Sequence, residues 1–143
     1  MNPLIVAGIL LSLVAISTVI GLLWVRGQGR VKRADGLTVL RPTDLPGRER
    51  FADGATLVQF STEVCAPCAA TRRVLEGVAS AREDVAHIDV DLTHAPELAS
   101  RFRVLQTPTT LILDRTGTVR ARIGGAVRLT EVNAELDRIL LPA

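Results

Sequence analysis

The sequence is poor in aromatic residues and in cysteine. Its 143 residues include one Trp, three Phe and no Tyr, and the formal net charge is +2. So few aromatic side chains argue against a base-stacking surface, and the nearly balanced charge gives no reason to expect a polyanionic partner. We therefore predict no nucleic-acid binding. The two cysteines, Cys65 and Cys68, leave no pair for a structural disulfide elsewhere within the chain.

Charged residues are also absent from residues 4–25, which are rich in Leu, Ile and Val. A helix of about 22 residues, rising about 1.5 Å per residue, is long enough to cross the hydrocarbon core of a membrane. Trp24 lies at one end, where an interfacial indole is expected. A cleaved signal peptide is the competing interpretation, but no basic residue precedes the segment and its end is a poor cleavage site. Residues 1–25 are predicted to be a retained single-pass anchor in the cell membrane.

Basic residues follow this segment, at Arg26, Arg30, Lys32 and Arg33, and none precedes it. The positive-inside rule then predicts a cytoplasmic C-terminal domain, with an extracytoplasmic domain as the alternative. Residues 26–36 are polar and are predicted to form a linker that keeps the domain near the membrane. The simpler interpretation of the basic residues is a solvated linker with weak attraction to anionic lipid.

The motif Cys65-Ala66-Pro67-Cys68 separates an apolar, β-prone run at residues 56–60 from a helix-prone run at residues 69–76. A thiol at a helix N-terminus faces unpaired N–H groups and the positive end of the helix dipole, which favour the reactive thiolate. Pro67 suits a first helical turn because its missing N–H costs nothing there. The motif therefore predicts a redox dithiol that cycles between thiol and disulfide.

The rest of the chain alternates between strand and helix patterns. We predict strands over residues 37–40, 56–60, 85–90, 109–113 and 118–123, and helices over residues 66–81, 93–102 and 130–140. The last strand alternates polar and apolar residues, as an edge strand does. This order predicts an α/β domain over residues 37–143, with a central mixed sheet and helices on both faces.

Three features of residues 37–140 resemble the thioredoxin family. They are the dithiol between strand and helix, the segment 95–104, which is similar to the second helix of the family, and Gln106-Thr107-Pro108-Thr109 just before a strand. The resemblance implies a thioredoxin-like fold and a thiol–disulfide oxidoreductase of the protein disulfide reductase type. No cofactor is implied. The implied partners are protein disulfides or dithiols and an electron donor or acceptor.

The resemblance also implies roles for particular residues. Cys65 is expected to attack and Cys68 to resolve the mixed disulfide. Pro108 is expected to be cis and to pack beside the sulfurs, and the backbone of Thr107 is expected to pair with an extended substrate segment. The catalytic residues are thus Cys65 and Cys68, supported by Pro67, Pro108, Thr107 and Gln59.

Three positions depart from the common pattern of the family. Val64 replaces the Trp before the first cysteine, and Ala66 replaces the usual Gly. Gln59 occupies the position of a buried Asp that relays a proton to the second thiol, and an amide can hydrogen-bond but cannot take a proton. These departures favour, as the alternative function, a tethered binding or chaperone-like module with poor turnover.

Zinc binding is the alternative interpretation of the two cysteines. The other candidate ligands are His87, inside a predicted strand, and His94, next to a predicted helix start. Their separation is wider than the common zinc-finger spacing. We therefore predict no metal site.

Overall fold

A computed structural model of the chain describes residues 2–46 and 50–141. In chain order its elements are α1 (Pro3–Gly27), β1 (Val31–Arg33), a 3₁₀ turn (Pro42–Asp44), β2 (Ala55–Ser61), α2 (Ala66–Ser80), β3 (Val85–Asp91), α3 (Pro96–Arg101), β4 (Thr109–Asp114), β5 (Val119–Gly124) and α4 (Leu129–Leu140). The strand order is β1-β5-β4-β2-β3, with β2 and β3 parallel and the other pairs antiparallel. The predicted α/β fold with a mixed sheet is confirmed.

The two faces of the sheet bury two separate hydrophobic clusters. Because side chains alternate along a strand, Leu57 of β2 faces one cluster and Phe60 faces the other. Helices α2 and α4 cover the first face, with Leu75 and Leu136 fully buried there. Leu98 of α3 packs into the second cluster. The sheet therefore has helices on both faces, as predicted.

The predicted helix over residues 93–102 is too long, since α3 begins at Pro96. The preceding residues form a turn instead, in which Asp91 Oδ1 accepts a hydrogen bond of 2.8 Å from the N–H of Thr93. An Asp side chain that bonds the backbone two residues on favours such a turn over a helix. Pro96 then starts the helix without losing a backbone hydrogen bond.

The predicted linker over residues 26–36 is wrong in part, because it contains β1. This strand pairs antiparallel with β5, with Val31 opposite Ile123. The predicted first strand over residues 37–40 provides only one isolated bridge, between Val39 and Thr118. The sheet therefore begins before residue 37, and β5 is an inner strand rather than the predicted edge strand.

Helix α1 is the one helix, within the described parts of the chain, that is long and apolar enough to cross a membrane. It spans 25 residues, and none of its side chains is buried by the rest of the protein. The helix ends at Gly27, and the N–H of Gly29 then donates a hydrogen bond of 2.9 Å to the carbonyl of Gly124, at the end of β5. The C-terminal end of α1 thus lies beside the C-terminal end of β5.

Candidate active site

Cys65 and Cys68 form a disulfide at the start of α2, with their Cα atoms 5.3 Å apart. Cys65 is the N-cap of this helix and has an extended backbone, while Pro67 lies in the first turn. The N–H of Cys68 donates a hydrogen bond of 3.1 Å to the carbonyl of Cys65, which closes that turn. The passage from β2 into α2 therefore holds both sulfurs within bonding distance.

The two cysteines differ in their access to solvent. Cys65 is partly exposed, whereas only 2% of Cys68 is exposed. Val64, just before the motif, is 97% exposed, and Pro67 is also exposed. A partner molecule can therefore approach the dithiol at Cys65, while the helix shields Cys68.

Gln59 lies on β2 beneath the dithiol and is fully buried. Its Nε2 donates a hydrogen bond of 3.0 Å to the carbonyl of Cys68, and its Oε1 has no hydrogen-bond partner among the described residues. Thr110 lies directly opposite Gln59 on β4, and Thr71 lies one turn after Cys68 on α2; both hydroxyl groups are buried without a partner in the described part of the chain. None of these three buried side chains can take a proton at neutral pH.

The sequence analysis predicted Gln59 as a site residue but predicted neither Thr71 nor Thr110. Thr71 could have been found from its spacing, because residues three apart on a helix lie on the same face. Thr110 could not, since its place opposite Gln59 depends on the pairing of β2 with β4.

The loop before β4 lies beside the dithiol segment. The peptide bond between Thr107 and Pro108 is cis, and Pro108 is buried. Thr107 Oγ1 lies 3.3 Å from Thr62 Oγ1, three residues before Cys65. The carbonyl of Pro108 accepts a hydrogen bond of 2.8 Å from the N–H of Gly125. The structure thus brings the predicted support residues Thr107 and Pro108 to the same end of the sheet as the dithiol.

A second polar network near the dithiol was not predicted. Asp89 accepts a hydrogen bond of 2.7 Å from the hydroxyl of Ser61 and one of 2.8 Å from Nε of Arg72. Arg72, which follows the dithiol by one turn, therefore forms an ion pair with Asp89. This network fastens α2 to the ends of β2 and β3.

The cysteines offer no thiolate ligand while they are disulfide-bonded, so the alternative of zinc bound by the cysteines and histidines has no support in this structure. His94 instead lies in a surface cluster with Glu63 and Asp91, whose ligand atoms all fall within 4.8 Å of one another. Hydrogen bonds from Thr93 hold the pKa of Asp91 below its usual value. Exposed groups of this kind are common without an ion, and we assign none here.

A partly exposed and a buried cysteine, bonded at the N-terminus of a helix on a mixed sheet, define a protein that carries out thiol–disulfide exchange. The family model of thioredoxin matches residues 48–138, more than half of the chain. The chain therefore belongs to the thioredoxin family, and it is a thiol–disulfide oxidoreductase. The predicted family and enzyme class are confirmed.

Known thioredoxins are similar to part of this chain. A thioredoxin of Mycolicibacterium smegmatis is 41% identical over 87 residues, which cover 59% of this chain and 77% of that protein. A thioredoxin of Chlamydia trachomatis is 36% identical over 74 residues, which cover 49% of this chain and 72% of that protein. Among solved structures, chloroplastic thioredoxin z has a TM-score of 0.56 at 26% identity, covering 61% of this chain and 79% of that one.

The family match begins after α1 and β1, so both elements lie outside it. The shared part contains the dithiol and the loop of Pro108.

Proposed function

We propose that this protein is a membrane-tethered thiol–disulfide oxidoreductase of the protein disulfide reductase type. Cys65 is the attacking residue and Cys68 is the resolving residue. One observation carries these assignments: Cys65 is partly exposed at the N-cap of α2, whereas Cys68 is 2% exposed.

The reaction begins with the reduced dithiol. The thiolate of Cys65 attacks one sulfur of a substrate disulfide, whose S–S bond breaks; one substrate thiolate leaves and takes a proton, and a mixed disulfide remains. Cys68 then loses its proton and attacks the sulfur of Cys65, which releases the second substrate thiol. The substrate gains two electrons and two protons, and the enzyme acquires its disulfide. A separate electron donor must restore the dithiol.

The start of α2 supports the first step, since unpaired N–H groups and the helix dipole stabilise the thiolate of Cys65. An extended protein segment fits the surface beside it. Thr107 supplies backbone groups for pairing with such a segment, and the exposed side chains of Val64 and Leu105 supply apolar contacts on either side. We assign protein disulfides as substrates on this basis.

Helix α1 supports membrane attachment, because its apolar side chains are all left uncovered by the domain. Residues 1–25 then form the anchor, and the domain begins at β1. Arg26, Arg30 and Lys32 at the end of α1 favour a cytoplasmic domain by the positive-inside rule. Labelling intact cells with a membrane-impermeant maleimide, after reduction of the disulfide, tests this orientation, because Cys65 and Cys68 are the only cysteines of the sequence. Labelling before lysis would place the domain outside.

A trapping experiment tests the assigned roles of the two cysteines. The variant Cys68→Ser should accumulate a mixed disulfide with a disulfide-bonded substrate, because nothing resolves it. The matched variant Cys65→Ser should trap none, because Cys68 is shielded. Equal trapping by both variants would contradict the assignment.

A redox titration separates this function from its alternative. The full chain should show one two-electron couple between Cys65 and Cys68 in a glutathione buffer. The buried amide of Gln59 favours the alternative, a tethered binding module with poor turnover. If the alternative holds, the variant Cys65→Ser should still bind its partner. If the protein is the proposed enzyme, the same variant should no longer reduce a substrate disulfide.

A further inference from the structure

A groove of about 450 Å³ lies between the end of α1 and the edge of the sheet that carries the Pro108 loop. Its large apolar lining residues are Leu23 and Trp24 of α1 and Leu105 of the loop before β4. Its cationic lining residues are Arg30, Lys32, Arg103 and Arg122. We call this feature the basic groove.

The cations of the basic groove have no counter-charge in the described part of the chain. None of the four forms an ion pair with a described carboxylate. Arg122 is held in place by hydrogen bonds to the carbonyls of Phe102, at 2.7 Å, and Arg103, at 3.1 Å. Burial and the nearby charge of Arg103 lower the pKa of Arg122. An anion in the groove would offset this repulsion.

The backbone of Arg103 provides an independent observation. Its φ of 52° lies in the left-handed region, directly after the end of α3, where glycine is the usual residue. Residues other than Gly and Asn are disfavoured in this conformation. Arg103 therefore keeps a long basic side chain at a position where the backbone conformation favours glycine.

The end of α1, which lines the groove with Leu23 and Trp24, is fixed to the domain. Only residues 28–30 separate α1 from β1. The N–H of Gly29 bonds to the carbonyl of Gly124, and the side chain of Gln28 lies against Gly125. Trp24 and Leu23 therefore face the cationic side chains at the level where α1 would leave a membrane.

We propose that the basic groove binds the headgroup of an anionic phospholipid, with its phosphate against Arg103 and Arg122 and its glycerol and acyl region against Leu23 and Trp24. This proposal rests on the membrane attachment of α1 proposed above. A groove lined by both cationic and apolar side chains matches an anionic amphiphile, whereas a free inorganic anion would contact only the cationic side chains. Basic side chains next to a membrane helix also attract anionic lipid in general.

The lipid would lie next to the site of catalysis. Gln106 and Thr109 line the groove, and they flank the Thr107–Pro108 pair on both sides. A headgroup in the groove would therefore hold the substrate-binding loop at the membrane surface.

The test uses the full-length protein in dodecyl maltoside micelles. Dihexanoylphosphatidylglycerol is titrated in, and binding is followed by the emission of Trp24, which is the only Trp in a chain without Tyr. We expect a saturable change that dihexanoylphosphatidylcholine does not produce. Each cation removed from the groove should weaken binding by about fivefold.

Two double variants make the test independent of folding. Arg103→Gln with Arg122→Gln removes the proposed phosphate contacts. Arg30→Gln with Lys32→Gln removes the same charge and leaves the hydrogen bonds of Arg122 intact. Both should raise the Kd by about 25-fold, two fivefold steps.

A control of equal charge is provided by Arg73→Gln with Arg115→Gln, since these two residues lie outside the groove. This control should bind the lipid as the unchanged protein does. If its binding weakens as much as that of the groove variants, only net charge matters and the site is refuted.

Three further outcomes would overturn the proposal. They are an equal response to phosphatidylcholine, saturation by inorganic phosphate at the same concentration as the lipid, and displacement of the lipid by an acidic peptide, which would assign the groove to substrate. Reduction of a peptide disulfide is measured on the same preparations. Retained reduction without lipid binding refutes the groove alone, and lipid binding without reduction refutes the proposed enzyme alone.

Discussion

The substitution Gln59→Met should leave the free energy of unfolding of the oxidised protein nearly unchanged or raise it, although it removes a buried hydrogen bond. The amide of Gln59 bonds through Nε2 to the carbonyl of Cys68, and its Oε1 is buried without a partner among the described residues. Methionine has a similar length and volume and no strong hydrogen-bonding group. The two halves of the amide therefore contribute with opposite signs.

The hydrogen bond from Nε2 contributes about 0.5–1.5 kcal/mol to stability. Its loss does not isolate the carbonyl of Cys68, which lies in the first turn of α2 and accepts the helical hydrogen bond of Arg72. A buried polar atom without a partner costs about 1–3 kcal/mol, and this cost is removed with Oε1. The expected change in the free energy of unfolding runs from a loss of about 0.5 kcal/mol to a gain of about 2.5 kcal/mol.

Urea unfolding of the full chain in detergent, followed by circular dichroism, measures this change. The control Gln59→Ala removes the same groups and leaves a cavity, so it should lower the free energy of unfolding by about 2 kcal/mol or more relative to Gln59→Met. A loss of more than about 1.5 kcal/mol in Gln59→Met would refute the reasoning, because it exceeds the value of one neutral hydrogen bond and requires that Oε1 be bonded as well.

Four further substitutions have outcomes that urea unfolding can check. Leu75→Ala shortens a fully buried side chain and should lower the free energy of unfolding by about 2–5 kcal/mol. Gly117→Ala should lower the free energy of unfolding by about 1–2 kcal/mol or more, because Gly117 has a φ of +82°. Gly77→Ala should raise it by up to about 1 kcal/mol, because Gly77 lies within α2 with open space around it. Burial raises the pKa of Asp114, but hydrogen bonds, foremost from Thr116, outweigh burial and leave that pKa lowered. Asp114→Asn should therefore destabilise the protein at pH 7. The difference should shrink as the pH falls from about 4 through the lowered pKa of the folded state, and a difference that is constant with pH would contradict this explanation.

The regular part of the fold could be predicted because its apolar residues follow the periods of helix and strand. β1 could not, since two of the three residues in Val31–Arg33 are exposed and basic, and a strand this short shows no alternation. Its position depends on the free edge of β5, which is a property of the assembled sheet. The interpretation of β5 as an edge strand was wrong for the same reason.

The dithiol could be predicted because its chemistry depends on neighbours in sequence. The ion pair of Arg72 with Asp89 could not, because its partners are 17 residues apart on different elements. The same holds for Thr110 opposite Gln59. Contacts across the sheet depend on register, and no local pattern in the sequence reports the register.

The strand directions place the C-terminal end of α1 and the dithiol at the same end of the sheet. β2 ends at Ser61, just before the dithiol, and its partner β4 begins at Thr109. Thr109 lies opposite Gly124 at the end of β5, next to the start of β1. Three residues connect β1 to α1, and an extended chain of three residues spans about 10 Å.

With α1 in the membrane, as we propose, this connection is too short for the domain to turn its dithiol far into solution. Cys65 would then meet disulfides that lie near the membrane surface and miss those of freely diffusing proteins. Holding enzyme and substrate in one thin layer raises their effective concentration without any new contact. We expect the amide of Gln59, which cannot take a proton, to slow exchange at the dithiol. The higher effective concentration would then let the enzyme serve a small set of substrates that share its membrane.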